Sequence, residues 1–493
     1  MKLRDLLEGV EPLRTSGAEE VEVSTIACDS RKASPGAVFV ALRGAAADGN
    51  QFVAQAVELG ATVVVSENAR PEATPPSVTW IEVEHPRRAL STISANFYGR
   101  PAEFLKLVGI TGTNGKTTTS YLVDSLLCAA GHKTGLFGTI AYRTPRGEQT
   151  AKNTTPESLD LEKFFAEVRD AGGTHATLEV SSHALAMDRV WGIPFAVAVF
   201  TNLTRDHLDY HKTLDEYFAA KRRLFEGVGA PPPQCGVVNA DDPRGAQLIG
   251  LAQRTLTYGI ENAADVTTKK FSLAFAGLEF TAQTPAGRVE IASTLVGRIN
   301  VYNILAAVGA GIALGLDREA IEVGIRNCRS VPGRFERVDE GQPFLVVVDY
   351  AHTDDALRNL IQTARELLGK NGRIITLFGC GGERDRTKRP LMGEAAGSLS
   401  DFVILTSDNP RREDPLKIIN DAVVGLQRAQ ANYVVEPDRA LAVEMALEKA
   451  QPGDIVLFAG KGHETYQVLR DRTLDFDDRI EARRVLRARG FGR

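Results

Sequence analysis

Leu105 to Thr111 reads LKLVGIT and runs directly into GTNGKTT at Gly112 to Thr118, after which the pattern KTTTSYLVDSLLCAAG continues to Gly131. The first run is a short, apolar, β-branched segment with the signature of a buried strand, and the last is a helix that Gly131 can end. Between them lies a Gly-rich turn, so backbone N–H groups and a helix N-terminus converge where a polyphosphate can sit. Gly112, Thr113, Asn114, Gly115, Lys116, Thr117 and Thr118 are therefore the candidate polyphosphate-binding loop. Lys116 supplies a point charge, and Thr117 offers its hydroxyl to Mg²⁺. The longer form of this motif has Gly five positions before Gly115. Ile110 stands there, so the loop is a shorter variant. The bland alternative, a Gly-rich turn with a surface lysine, does not explain the strand and helix on either side.

Outward from this junction, short apolar runs ending in small polar residues alternate with longer helical patterns, which predicts βαβ units and a mostly parallel sheet. Three blocks separate, at 1–100, 101–332 and 333–493. The first holds GAVFVAL (36–42), TVVVS (62–66) and TWIEVE (79–84), with a Pro-rich loop at 71–76. The second adds strands near 176–181, 195–201 and 235–239, an antiparallel edge over about 255–296, and a helix over 301–315. The third carries FLVVVDY, RIITLFG, FVILTSD and DIVLFAG, each followed by a loop with charged residues. Ligands of doubly wound sheets bind at the carboxyl ends of strands, so those loops are where chemistry is expected.

Two later stretches offer metal ligands. Glu179, in ATLEVSS, ends a buried strand, where a carboxylate is costly unless it meets a cation. His207 lies in NLTRDHLDYH, whose Asp206, Asp209 and His211 make a denser polar cluster than surface composition predicts. Lys221 lies in YFAAKRRLF, a helical stretch whose apolar positions put it near a buried face, although on composition alone it reads as a solvated helix lysine.

GTNGKTT, NTTPES, LEVSSHAL, FTNLTRDHLDYH, AAKRRLF, PGRFE, DYAHT, GCGGERDRTKRP, DNPR and AGKGHE occur in that order, and together they closely resemble the Mur ligase family over nearly the whole chain. The resemblance implies an α/β protein of three domains: a UDP-binding N-terminal domain, a central P-loop ATPase domain with a mostly parallel sheet, and a C-terminal Rossmann-like domain. It implies an ATP-dependent acid–amino-acid ligase acting through an acyl phosphate, with ATP as co-substrate bound by the loop Gly112 to Thr118 and Mg²⁺ as cofactor. Lys116, His207 and Lys221 match catalytic positions. Thr117, Glu179, His207 and Lys221 match the metal positions, Lys221 as a CO₂-derived carbamate, which reverses its bland reading.

By the same resemblance, Asn303, Arg334 and Asp349 match segments that hold adenine and ribose, with His352 following in the same motif. Cys28, Ser30, Asn153, Thr154, Thr155, Ser181, Met187 and Arg189 match contacts to a UDP-muramoyl dipeptide. Met187 replaces a Gln of some relatives, Ala45 to Ala47 replace a more polar loop, and Asp354 replaces a usual Pro. Asp408, Asn409, Pro410 and Arg411 resemble the family's meso-diaminopimelate tetrad, with Arg384, Gly460 and Glu464 as the remaining contacts. A planar Arg411 fork suits the second carboxylate of that amino acid and repels the ammonium of L-lysine or L-ornithine. Those two amino acids, and a sister ligase such as a folylpolyglutamate synthase, are the alternatives.

At 493 residues the chain is too long for one ordinary core, and its 43% hydrophobic and 25% charged residues suit a folded globular protein. The net charge of −5 provides no general field for nucleic acid, which disfavours a nucleic-acid-binding NTPase. The longest apolar run, Leu305 to Leu316, is short of the ~20 residues that cross a bilayer, so membrane insertion is not expected. MKLRDLLEGVEP carries acids where a secretory signal is apolar, and a cytoplasmic protein is expected. Cys28, Cys128, Cys235, Cys328 and Cys380 are scattered and read as buried reduced thiols. The expected partners are the small-molecule substrates, and the expected state is a monomer.

Overall fold

The computed structural model describes residues 1–18, 20–44, 47–274, 276–368 and 372–492. Ala45 and Ala46, two of the three alanines noted above, fall outside them. The described residues build three main sheets plus one short hairpin.

The N-terminal sheet runs, edge to edge, Pro12–Ser16, Thr79–Val83, Ala61–Ser66, Ala37–Val40 and Thr25–Ala27. Only Pro12–Ser16 is antiparallel to its neighbour. Val38, Val40, Val63, Val65 and Ile81 meet Leu90 and Ile93 of the helix Pro86–Phe97 on one face. Trp80 and Val64 pack on the other. Burial on both faces explains why these strands read as continuous apolar runs rather than alternating ones.

The central sheet has a parallel middle: Val266–Thr267, Thr255–Gly259, Cys235–Asn239, Phe195–Phe200, Lys106–Thr111, His175–Glu179 and Thr134–Phe137. Antiparallel strands flank it at both ends. One flank is the hairpin Ala141–Thr144 and Gly147–Thr150. The other is Phe271–Ala274, Gly277–Thr284 and Gly287–Ser293. The antiparallel edge expected from about residue 255 thus begins later, because Thr255–Gly259 pairs in parallel with Cys235–Asn239. Helices Lys116–Ala129, Arg298–Leu314 and Arg318–Asn327 cover one face of the sheet, and Ser158–Asp170 and Leu214–Glu226 cover the other. Arg298–Leu314 is buried nearly all round, which accounts for its Ala- and Gly-rich composition.

In the C-terminal sheet the order is Glu336–Val338, Leu345–Asp349, Ile455–Ala459, Ile374–Phe378, Phe402–Leu405 and Tyr433–Val435, with only the first strand antiparallel. Its four long strands are the four apolar runs read from the sequence. The five cysteines are all unpaired, but the expectation of burial holds only for Cys235, Cys328 and Cys380. Cys128 is exposed on the last turn of its helix and Cys28 is half-buried.

Candidate active site

The carboxyl ends of the central and C-terminal strands open onto one cavity of about 350 Å³, lined by residues 113–118 on one side and by Asp349, Gly379, Asp408 and Gly460 on the other. Gly112 and Gly115 have φ of +148° and +85°, and a Cβ on either would overlap Thr201 or Asn303. Only glycine lets the turn pass that close. Asn202 steadies the turn from behind, its carbonyl accepting from Thr113 N at 2.8 Å and its side-chain oxygen from Asn114 N at 3.0 Å. Lys116 Nζ donates to the carbonyls of Gly112 and Thr113 at 3.0 and 2.8 Å, folded back over the loop. Burial lowers its pKa, opposed by the charges of Glu179 and Asp206.

Helix residue Thr117 donates its hydroxyl proton to Glu179 Oε2 at 3.0 Å and accepts from Arg334 Nη2 at 3.0 Å. Glu179 is fully buried at the end of its strand. It accepts from Thr139 N at 2.9 Å and from Thr139 Oγ1 at 3.1 Å, and the missing side chain of Gly138 leaves room for it. A buried carboxylate beside a hydroxyl, facing a phosphate loop, is a donor set that fits Mg²⁺, which takes one or two carboxylates and completes its shell with phosphate and water. Among the described residues no group of three His, Cys, Asp or Glu side chains is close enough to form an all-protein cage.

Lys221 is not a solvated helix lysine. It is 1% exposed, its Nζ donates to Gly112 O at 2.7 Å, and it lies 4.4 Å from the Tyr217 ring centre. Burial, reinforced by Lys116, pushes its pKa well below the ordinary value. His207 sits at φ +54°, with Nε2 3.3 Å from Asp206 Oδ2 and its ring edge-on to His183 at 4.8 Å. Burial pushes its pKa down against the pull of Asp206, which favours the neutral imidazole, the form that can ligate a metal. Asp206 and Asp209 also line the cavity, whereas His211 turns away to Ser182 Oγ at 2.9 Å.

A second group runs along the central sheet toward the N-terminal one. Thr154 Oγ1 is 3.2 Å from Thr139 Oγ1 and lines the cavity. Asn153 is held through its backbone by the Tyr142 hydroxyl, which accepts from Asn153 N at 2.9 Å. Thr155 Oγ1 donates to Glu179 O at 2.8 Å and accepts from Ser181 N at 3.0 Å, and Ser181 Oγ caps the following helix by accepting from Ala184 N. Arg189 donates to Thr155 O at 3.0 Å and touches Met187 Sδ at 3.8 Å. Ser30, donating to Gln55 Oε1 at 2.7 Å, and Cys28 lie outside the cavity on the N-terminal domain. Burial and the nearby Glu157 and Asp160 push the Cys28 thiol up to about 11, which makes it inert.

Asn303 lines the cavity and bonds Asn300 Oδ1 at 2.9 Å. Asp349 braces its own loop by accepting from Phe335 N and Ala351 N at 2.7 and 2.8 Å. Arg334 matches a segment expected to hold adenine and ribose, yet through Thr117 it reaches the phosphate side. On the opposite wall, Arg384, Asp408, Asn409, Arg411, Gly460 and Glu464 line the cavity, while Pro410 only shapes the turn. Arg411, at φ +53°, is aimed by a bond from Nη1 to Gly382 O at 2.8 Å. Asn409 Nδ2 donates to Glu464 Oε2 at 2.8 Å. Thr139 and Lys388 also line the cavity, and Lys461 is buried behind it, three residues that no sequence motif singles out by role. Lys461 stood within the quoted AGKGHE, and its Nζ lies 3.3 Å from Glu464 Oε2. Thr139 carried no local signal.

Facing strand ends with a Gly-rich loop on one wall and an Arg/Asn/Glu set on the other can bring a phosphoryl group beside a second substrate. The chain belongs to the Mur ligase family. Three models match it: "Mur ligase family, catalytic domain" over 22–98, "Mur ligase middle domain" over 110–311, and "Mur ligase, glutamate ligase domain" over 333–462. A relative from Solibacter usitatus (strain Ellin6076), named UDP-N-acetylmuramoyl-L-alanyl-D-glutamate–2,6-diaminopimelate ligase, is 54% identical over 100% of this chain and 99% of its own. One of the same name from Geobacter metallireducens is 44% identical over the full length of both. A solved structure of a ligase with that name is 32% identical, covers 99% of both chains and superposes with a TM-score of 0.69.

Proposed function

We propose that this protein is the ATP-dependent ligase that joins meso-2,6-diaminopimelate to the D-glutamate carboxylate of UDP-N-acetylmuramoyl-L-alanyl-D-glutamate, in the building of a peptidoglycan precursor. The observation that carries the reading is the single cavity in which Lys116, Thr117 and Glu179 face Asn409, Arg411 and Glu464.

A carboxylate is a poor electrophile because oxide is its leaving group. Phosphorylation replaces oxide with phosphate. The γ-phosphoryl bond to ADP breaks as a bond to a carboxylate oxygen forms; the amine then attacks the acyl carbon, loses a proton and expels phosphate. Two anions must first approach, and Lys116 together with the loop N–H groups offsets their repulsion. Thr117 and Glu179 would hold one Mg²⁺ and His207 and Lys221 a second, and such ions would add to the charge neutralisation. Lys221 carries a carbamate in this reading. Its neutral amine, favoured by burial beside Lys116, bonds to CO₂ and sheds a proton, turning a cation into an oxygen ligand.

Thr154, Thr155, Ser181 and Arg189, continued by Cys28 and Ser30, form the track for the UDP-linked substrate, and residues 1–100, 101–332 and 333–493 are the three working domains. Arg411 receives the far carboxylate of the amino acid and Glu464 its ammonium. One chain holds every residue this scheme uses, and we read it as a cytoplasmic monomer. The test is phosphate release with ATP, Mg²⁺ and the UDP-muramoyl dipeptide, comparing meso-diaminopimelate, L-lysine and L-ornithine. Dependence on meso-diaminopimelate that is lost in Arg411→Ala supports the reading. Dependence on either of the others overturns the choice of amino acid while keeping the chemistry.

A further inference from the structure

The loops after Phe402–Leu405 and Ile455–Ala459 carry Asp408 to Arg411 and Gly460 to Glu464, yet these strands do not pair, because Ile374–Phe378 lies between them. No ladder hydrogen bond joins the two strands, and at their tips the loops meet only through side chains, Asn409 Nδ2 to Glu464 Oε2 at 2.8 Å and Lys461 Nζ to Asn409 Oδ1 at 3.4 Å. Behind both lies Arg439, the first residue of helix Arg439–Lys449, paired with Asp478 at the start of helix Asp478–Ala488. Both side chains have no exposure, and the pair is bidentate, with Nε 2.8 Å from Asp478 Oδ1 and Nη2 2.7 Å from Oδ2. The guanidinium's remaining donors reach Ser407 O at 3.4 Å and Ala459 O at 3.2 Å. Those carbonyls immediately precede Asp408 and Gly460.

A buried ion pair is often no more stabilising than apolar residues of the same volume, so stability alone does not account for this one. A planar fork fixed on one edge by a carboxylate can hold two backbone carbonyls at a set separation, which a lysine's single point donor cannot. We infer that Arg439, held by Asp478, is a positioning residue for the amino-acid site: it sets the spacing of the Asp408–Arg411 and Gly460–Glu464 loops and so the fit between the two ends of the incoming amino acid. The inference rests on the proposed function, in which those loops bind that substrate.

The test is the double variant Arg439→Leu/Asp478→Leu, which removes the pair without leaving a buried charge, assayed beside Arg439→Lys and the wild type. Expected are cooperative thermal unfolding of the double variant and a rise of about ten- to a hundredfold in KM for meso-diaminopimelate, as a misplacement near 1 Å produces. KM for ATP and for the UDP-linked substrate should stay within about twofold of wild type. Arg439→Lys should restore little of the amino-acid KM, because charge alone does not span two carbonyls. A folded double variant with unchanged amino-acid KM, an equal rise in all three KM values, or failure of the double variant to fold would each overturn the inference. A wild type indifferent to meso-diaminopimelate would instead overturn the functional reading, and this one with it.

Discussion

Lys116 spends two of its three donors on carbonyls of its own loop. An arriving phosphate must therefore compete with Gly112 O and Thr113 O, and it wins because a charge-assisted bond to an anion is stronger than one to a neutral carbonyl. Lys116→Ala should reduce kcat by about a hundred- to a thousandfold, the cost of deleting one preorganised charge-stabilising donor, with the fold intact by circular dichroism. Near-normal ADP formation would remove the loop from the chemistry. Glu413 gives a residue-scale pH prediction. Its bond to Arg389, helped by Glu383 N and Arg386, holds its carboxyl down at about 2. A depressed carboxyl pKa contributes stability above its unfolded value near 4.5 that is lost as pH falls through about 2. Melting temperatures of wild type and Glu413→Gln should therefore converge between pH 5 and pH 2.5, the wild type losing more.

At the scale of elements, Gly324 shows how closely the phosphate-loop helix is packed. A Cβ there would lie 2.5 Å from Leu126 Cα, and Ser125 Oγ donates to Gly324 O at 2.7 Å. Gly324→Ala should cost about 1–3 kcal/mol in a denaturant melt through overpacking, since backbone rather than a flexible side chain must move. Legibility in the sequence followed the same physics. Strands buried on both faces announced themselves as apolar runs, and the loop 112–118 was readable because phosphate binding demands a local sequence. The hairpin 141–150 leaves no strand signal in the sequence, because Gly147–Thr150 is exposed along its whole length and has no apolar alternation. The pattern predicts an antiparallel edge from about residue 255, yet Thr255–Gly259 pairs in parallel, because orientation is decided by how the chain returns and not by the residues of the strand. The burial of Lys221 is legible in its own helix, where Tyr217, Phe218, Leu224 and Phe225 stand three and four residues to either side of it, but its bond to Gly112 O is not, since that partner comes from elsewhere in the chain.

Across the whole molecule, Asp355 joins the C-terminal domain to the phosphate loop: its Oδ2 accepts from Asn114 Nδ2 at 2.8 Å and from Thr204 Oγ1 at 3.1 Å. Arg334 makes a second crossing to Thr117. Asp355→Ala should raise KM for ATP and lower kcat together, as mutations that loosen closure do, with no change in melting temperature beyond a degree or two. Steady-state kinetics beside a thermal melt would check it, and unchanged kinetics would show that the crossing is passive. The N-terminal sheet is tied on separately, through Arg88 to Asp188 at 3.0 Å and Ser91 Oγ to Trp191 O at 2.6 Å. Because the cavity takes one wall from each of two sheets, a compound that grips only the Gly-rich turn meets backbone features common to many nucleotide enzymes. One that reaches from Thr117 across to Arg411 must fit two separately folded surfaces at once, and that joint requirement is where an inhibitor of this protein gains selectivity.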